Sequence, residues 1–193
     1  MKSYISIGVL LLALLLGHQV STTLSLLGTS VDWPSAKPSD EDRMTALVYR
    51  EHGGVDVLEL VNDMPRPIPQ DNQVLVHVQA SALNPIDFKL RRNPVPNFLV
   101  GKPKITGMDL AGVVVATGKD VAVEFQVGDR VAAMLPMLGS QWGAAAEYVA
   151  VRPAHLAKIP DGVRYEDAAS LPLAGLTAIQ KLRNLSSPRA RKS

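Results

Sequence analysis

The sequence predicts a mainly β domain with a few short helices, built as a small antiparallel barrel or sandwich. Three observations carry this. Short alternating or valine-rich runs recur along the chain, each bounded by Gly, Pro or Asp turn signals. Strands and helices do not alternate as they would in a doubly wound sheet, and helical patterning is confined to one short segment and the C-terminal region. No Gly-x-Gly-x-x-Gly or Walker-type glycine loop opens a helix after a strand.

In chain order, the first segment is the least domain-like. Lys2 precedes an almost unbroken apolar run over 5–16, and a weaker one continues over 20–27 after Gly17, His18 and Gln19. This is the pattern of a secretory signal peptide. Counted to Leu16 the run is shorter than the roughly 20 residues a bilayer core needs; counted to Leu27 it is long enough to span. Residues 1–30 are expected to form a hydrophobic N-terminal helix, either a signal peptide or a signal anchor. Secretion, anchoring and delivery to an organelle through the same kind of leader all remain open, and any membrane contact is expected through this segment alone. Residues 31–43, rich in Pro, Ser and acidic residues, read as a linker.

The folded domain is expected over 44–182. Residues 45–49 and 57–61 read as strands on either side of Gly53 and Gly54, a hairpin. Over 73–82, Val74, Val76, Val78 and Ala80 alternate with His77, Gln79 and Ser81, the period of a half-buried strand. Asn84, Pro85 and Asp87 then announce a short helix to Arg92: an N-cap side chain, a proline at the first helical position and an acid in the first turn. A proline-rich loop with Pro94, Pro96 and Pro103 follows. The near-continuous apolar run 110–117 predicts a strand buried on both faces, ended by Gly118. Gly128 and Asp129 turn the chain into a strand over 130–134, and 144–151 and 155–159 supply two more. Two short helices are expected over 165–169 and 173–182, broken by Pro172.

Composition narrows the chemistry. With 20 basic against 18 acidic residues spread along the chain, no positive field points to nucleic acid, and no nucleic-acid partner is expected. There is no cysteine, which removes disulfides, thiolate zinc sites, iron–sulfur ligation and cysteine nucleophiles. The histidines, His18, His52, His77 and His155, lie on separate elements without metal-ligand spacing, so no metal site is expected. No serine sits in a Gly-x-Ser-x-Gly turn.

Three ordered stretches remain: ALNPIDFKLR from Ala82, GMDLAGVVVATG from Gly107 leading to VGDRV from Val127, and AASLPLAGLTAIQKL from Ala168. Together they resemble the catalytic domain of the medium-chain dehydrogenase/reductase superfamily, in its zinc-free quinone oxidoreductase branch. The resemblance spans about 44–182 and implies a GroES-like, partly open β-barrel. Zinc members of the family place a cysteine where this chain has Asn84 and a Gly-His-Glu motif where it has Gly107, Met108 and Asp109. An amide and a thioether do not replace a thiolate and an imidazole on zinc. Without that Lewis acid the implied substrate is one more easily reduced, a quinone or an activated alkene such as an enone, whose developing oxygen charge hydrogen-bond donors can stabilise.

The resemblance also implies the site. In the resembling enzymes the positions of Asn84 and Lys89 line the nicotinamide cleft, and that of Thr177 contacts the nicotinamide end of NADPH or NADH. Asn84 is expected to be an amide donor orienting cofactor or substrate oxygen, Lys89 a donor to substrate oxygen or phosphate, and Asp87 their organiser. Each residue also has a purely structural reading. Asn84 is a good N-cap, Asp87 a capping and dipole residue, Lys89 a solvated helix position and Thr177 a helix packing residue.

Beyond residue 182 the resembling enzymes continue into a Rossmann domain that grips the dinucleotide. Here a basic, serine-containing tail, 183–193, reads as disordered, and the chain is expected to be truncated before the cofactor-binding domain. The family's dimer contacts lie largely in that missing part, which leaves the oligomeric state open. Asn184, Leu185 and Ser186 form an N-glycosylation triplet. Two functions are thus compatible with the sequence: an NADPH- or NADH-dependent quinone or enone reductase, inactive as this chain alone, and a non-catalytic binding or scaffold module or truncated fragment.

Overall fold

In a computed structural model, residues 42–93, 103–121, 123–136 and 143–186 are described. Eight strands and three helices follow in order: β1 (Arg43–Tyr49), β2 (Leu58–Pro65), β3 (Val74–Ala82), α1 (Pro85–Arg92), β4 (Lys104–Ile105), β5 (Asp109–Thr117), β6 (Arg130–Met134), β7 (Tyr148–Val151), β8 (Leu156–Lys158), α2 (Tyr165–Ala169) and α3 (Pro172–Ser186). The hydrophobic segment 1–30 and the linker up to residue 41 lie outside the described residues, so the expected N-terminal helix does too. Among the described residues no helix is long and apolar enough to cross a membrane.

The strands form two antiparallel sheets, β2-β1-β4 and β7-β3-β5-β6-β8, neither of which closes on itself. They are sewn together along one seam. Ahead of β7, Leu47 donates to the Ala145 carbonyl, Ala145 donates to that of Thr106, and Ala46 bridges Ala146. This explains why the predicted strand 144–151 is half as long in the structure: its first half pairs with the small sheet and only Tyr148–Val151 runs beside β3. The expected barrel is therefore two open sheets sharing one segment.

Burial on both faces of β5 follows from two separate cores. Leu110 and Val114 pack on one side with Val74, Val76, Val131 and Val149, while Ala111 faces Ala168 and Ala169 of α2 and Ile159 on the other. Small side chains on that second face let the short helix sit close to the sheet. A third cluster, Met44, Ala46, Val48, Met64 and Ile105, fills the small sheet. The alternation read in β3 holds for Val74 and Val76, but Leu75 is also buried, and bulges at Leu75/Val76 and Val78/Ala80 shift its register.

Other boundaries moved for local reasons. Val57 ends a 3-10 turn, so β2 begins one residue later and runs on to Pro65. Lys104 and Ile105, within the proline-rich loop, pair with Tyr49 and Val48, a two-residue strand too short to show a period. Pro172 opens α3 as its first residue instead of separating two helices, as a proline without an N–H can. α3 continues four residues beyond Leu182, with Arg183 in its last turn, so the start of the predicted tail is helical.

Gly112 marks the closest approach of β5 to β3: a Cβ there would stand 2.2 Å from the His77 carbonyl oxygen. Gly112→Ala is expected to destabilise the domain by about 1–3 kcal/mol through overpacking, read as a lower urea midpoint. Gly175→Ala, in α3 with open space around it, is expected to raise stability by about 0.5–1 kcal/mol through helix propensity. Equal midpoints for the two variants would contradict this packing.

Candidate functional site

The strand β3 delivers the chain to Asn84, whose extended backbone makes it the N-cap of α1. Asp87 reaches back and accepts the Asn84 backbone N–H at 2.7 Å, one half of a capping box. With its own main chain held this way, the Asn84 side chain turns to β5: its Nδ2 donates to Asp109 Oδ2 at 2.9 Å. Because a carboxylate only accepts, this bond fixes which end of the amide faces Asp109.

Asp109 is fully buried at the first position of β5. Its carboxylate accepts from Asn84 and also from the Leu173 backbone N–H, at 3.1 and 3.2 Å to its two oxygens. Leu173 lies in the first turn of α3, where unpaired N–H groups and the helix dipole favour a negative charge. The Asp109 carbonyl oxygen accepts the Ser81 hydroxyl of β3 at 3.1 Å. Burial raises the Asp109 pKa above the usual carboxylate value, and the bonds from Asn84 and Leu173 oppose that rise.

The buried face of α1 is charged. Asp87 and Arg91, one turn apart, point inward, while Phe88 is left exposed. Arg91 donates from Nε to the Gly54 carbonyl at 2.9 Å, and its own carbonyl accepts the Gly53 N–H at 3.0 Å, pinning the helix end to the β1–β2 turn. Asp87 sits over Lys104 of β4, itself only 6% exposed. Burial raises the Asp87 pKa; hydrogen bonds from the Asn84 and Gly107 N–H groups and the Lys104 charge pull it down, while the Asp109 charge pushes it further up. Gly107 presents its N–H from a positive φ of 85°, a conformation that favours glycine. Burial lowers Lys104 to about 8, against the opposing attraction of Asp87.

These groups line a small cleft. Tyr49, Asp87 and Lys104 face it together with Leu90, Ile105, Met108 and Pro136. Burial raises the Tyr49 pKa, so its phenol stays a neutral donor at neutral pH. The cleft thus combines an apolar wall with an ammonium, a phenol and a carboxylate.

Of the predicted site residues, the structure brings Asn84 and Asp87 together and joins both to Asp109. Lys89 is exposed on α1, two positions from buried Asp87 and so on a different face. Thr177 is exposed on α3, one turn after Leu173 and on the same face. Asp109 and Lys104 were not singled out as site residues from the sequence. Asp109 lies just ahead of the apolar run 110–117 and Lys104 within the proline-rich loop, so neither carries a local pattern that marks it.

The described residues do not fit the pyrophosphate of a dinucleotide. The two helix N-termini that could receive a phosphate, those of α1 and α3, already carry the carboxylates of Asp87 and Asp109. A phosphate would have to displace a buried group of its own sign. Among the described residues no cluster of three or more His, Cys, Asp or Glu side chains could hold a metal.

Two outcomes follow from this geometry. Asp109→Ala strands the Asn84 amide and the Leu173 N–H in a buried place, and a loss of about 2–4 kcal/mol in urea unfolding is expected; a loss below about 0.5 kcal/mol would contradict the bridge. The lowered Lys104 pKa means that the unfolded chain binds more protons than the folded one between pH 8 and pH 10.5, so stability contributed at this position rises across that window. Relative to Lys104→Met, the parent chain is expected to gain up to roughly 3 kcal/mol there and to stay level below pH 8. A fall across the window would reverse the assignment.

Comparison with known proteins bears on the family. Residues 70–161 match the alcohol dehydrogenase GroES-like domain. The chloroplast envelope quinone oxidoreductase homolog of Arabidopsis thaliana is 41% identical over 143 residues, 73% of this chain and 42% of that protein. The NADPH-dependent alkenal/one oxidoreductase, chloroplastic, of the same plant is 39% identical over 77% of this chain and 39% of its own length. Among solved structures, the quinone oxidoreductase of Coxiella burnetii superposes with a TM-score of 0.65 at 34% identity, covering 74% of this chain and 45% of that one. The chain therefore spans about two fifths of the length of these relatives. It carries a GroES-like domain and belongs to the quinone oxidoreductase-like medium-chain dehydrogenases/reductases, matching their N-terminal part.

Proposed function

We propose that this chain supplies the substrate side of a zinc-independent, NADPH- or NADH-dependent reductase of quinones or activated alkenes. The observation that carries the reading is the Asn84–Asp109 bond. At the position where zinc relatives carry a cysteine, the side chain is an amide tied to a buried carboxylate, and the adjoining cleft holds two hydrogen-bond donors, Lys104 and Tyr49, beside the Asp87 carboxylate. In that arrangement the charge that develops on a carbonyl oxygen is met by the Lys104 ammonium and the Tyr49 hydroxyl, both lining the cleft. Asp87, against Lys104, holds the ammonium charged near neutral pH. Asn84, with one N–H committed to Asp109, keeps the other for cofactor or substrate oxygen. Lys89 and Thr177, exposed on α1 and α3, would meet the nicotinamide end of a cofactor in this reading.

The names of the relatives support the substrate class, and one of them is NADPH-dependent by name. The dinucleotide's phosphates, which the described residues do not fit, are assigned in this reading to protein beyond them. We also propose that the N-terminal apolar segment is a targeting leader. Two relatives named as chloroplast proteins make an organelle a destination as consistent as the secretory pathway.

A chimera tests the function: residues 43–186 of this chain replacing the matched part of the Arabidopsis thaliana quinone oxidoreductase homolog. NADPH-dependent reduction of a quinone or enone is expected, and Asn84→Ala in the chimera is expected to lower kcat/KM about tenfold to a hundredfold. A chimera that quenches NADPH fluorescence normally yet reduces neither substrate class would contradict the reading. The chain alone is expected to show no submillimolar NADPH binding.

A further inference from the structure

We propose that α3 and the basic residues that follow it form a docking surface for the anionic face of a lipid bilayer, a second membrane contact besides the N-terminal apolar segment.

The helix outgrows the domain that anchors it. Its start is held where the Leu173 N–H meets Asp109, yet a Cβ at Gly175 would meet nothing within 4 Å and every residue from Leu176 to Asn184 is exposed. A helix left unpacked is marginal in water, because most helical stability in proteins comes from burying one face. The described residues leave that face of α3 uncovered.

The two sides of the helix differ in kind. Leu176, Ile179 and Leu182 stand three residues apart on one side, 42%, 49% and 65% exposed, and Leu171 is exposed just ahead of the helix. Thr177, Gln180, Lys181 and Asn184 take the other side, at the i, i+3, i+4, i+7 spacing of one helix face. No acidic residue follows Asp167, while Lys181 and Arg183 belong to α3 and Arg189, Arg191 and Lys192 come after it. An apolar stripe beside cations is the pattern of a helix that lies among lipid headgroups with its apolar side toward the acyl chains.

Charge and area together select the occupant. Three large side chains make a stripe well short of the roughly 800 Å² per partner of a stable protein interface, so a second copy or a folded partner gains little from it. A bilayer makes up the difference, because its diffuse negative potential attracts each Lys and Arg near the surface without a fixed partner for any of them. No helix among the described residues is long and apolar enough to cross, so the contact is with the surface. None of it uses Asn84, Lys104 or Tyr49, and its failure would leave the reductase reading standing.

The experiment floats the full chain with vesicles of phosphatidylcholine alone and with vesicles containing about one third phosphatidylglycerol; an apolar leader enters both kinds, whereas basic residues discriminate between them. Binding is expected to be at least about tenfold tighter on the anionic vesicles in low salt, with the preference lost near roughly 1 M salt. Ile179→Gln combined with Leu182→Gln, and separately Lys181→Glu, are each expected to weaken anionic binding about tenfold at an unchanged urea midpoint. Equal binding to both kinds of vesicle, or anionic binding that the variants leave intact, would overturn the proposal. So would a dimer formed without lipid and dispersed by the Ile179→Gln, Leu182→Gln pair, or capture by an acidic helix-gripping protein such as calcium-loaded calmodulin with no binding to vesicles; the stripe would then belong to a protein.

Discussion

A carboxylate with no exposed surface must be met by donors wherever it sits, and in this domain Asp109 is met by three chain segments at once. Its side chain takes the amide of Asn84 and the first-turn N–H of α3, and its main chain takes the hydroxyl of Ser81. Those contacts fix the end of β3, the start of α1 and the start of α3 to a single point on β5. The rest of the site is built outward from there. Asn84, once oriented, lets Asp87 cap α1; Asp87, once buried, lies against Lys104; and Lys104 and Tyr49 complete the cleft. The arrangement has a cost, since burial raises the pKa of both carboxylates and the Asp109 charge pushes that of Asp87 further up, and the N–H donors and, for Asp87, the neighbouring ammonium offset it.

The same constraint explains how the fold divides its labour. Two antiparallel sheets share the segment ahead of β7 and enclose apolar clusters that need no polar help. The charged groups are concentrated where the helices join the sheets. α1 docks through Asp87 and Arg91 instead of an apolar stripe, so its attachment depends on hydrogen bonds with defined directions. Such contacts specify orientation more sharply than they add stability.

Much of this was legible in the residues. The N-cap and proline at Asn84 and Pro85 announced α1 at its observed boundaries, and the valine-rich run announced β5 as a strand covered on both sides. What local pattern could not show was partnership at long range. Asp109 bonds to residues 25 and 64 positions away, and nothing in the run that it opens distinguishes a hub from a strand edge. Lys104 belongs to a strand of two residues, too short for any periodicity. Of the strand expected over 144–151 only Tyr148–Val151 runs beside β3, while its first half pairs with the small sheet, which depends on where β1 lies. Lys89 shows the converse: it shares a motif with Asn84 and Asp87, yet helical geometry turns it to solvent.

The central claim is that Asp109 holds the Asn84 amide in the folded domain. Nitrogen-resolved nuclear magnetic resonance of the Asn84 side chain tests it most directly. The account predicts one Asn84 amide proton shifted downfield and slow to exchange with water, both properties lost in Asp109→Ala while the backbone spectrum of the sheets persists. Two rapidly exchanging Asn84 amide protons in the parent chain, unchanged by removing Asp109, would contradict it.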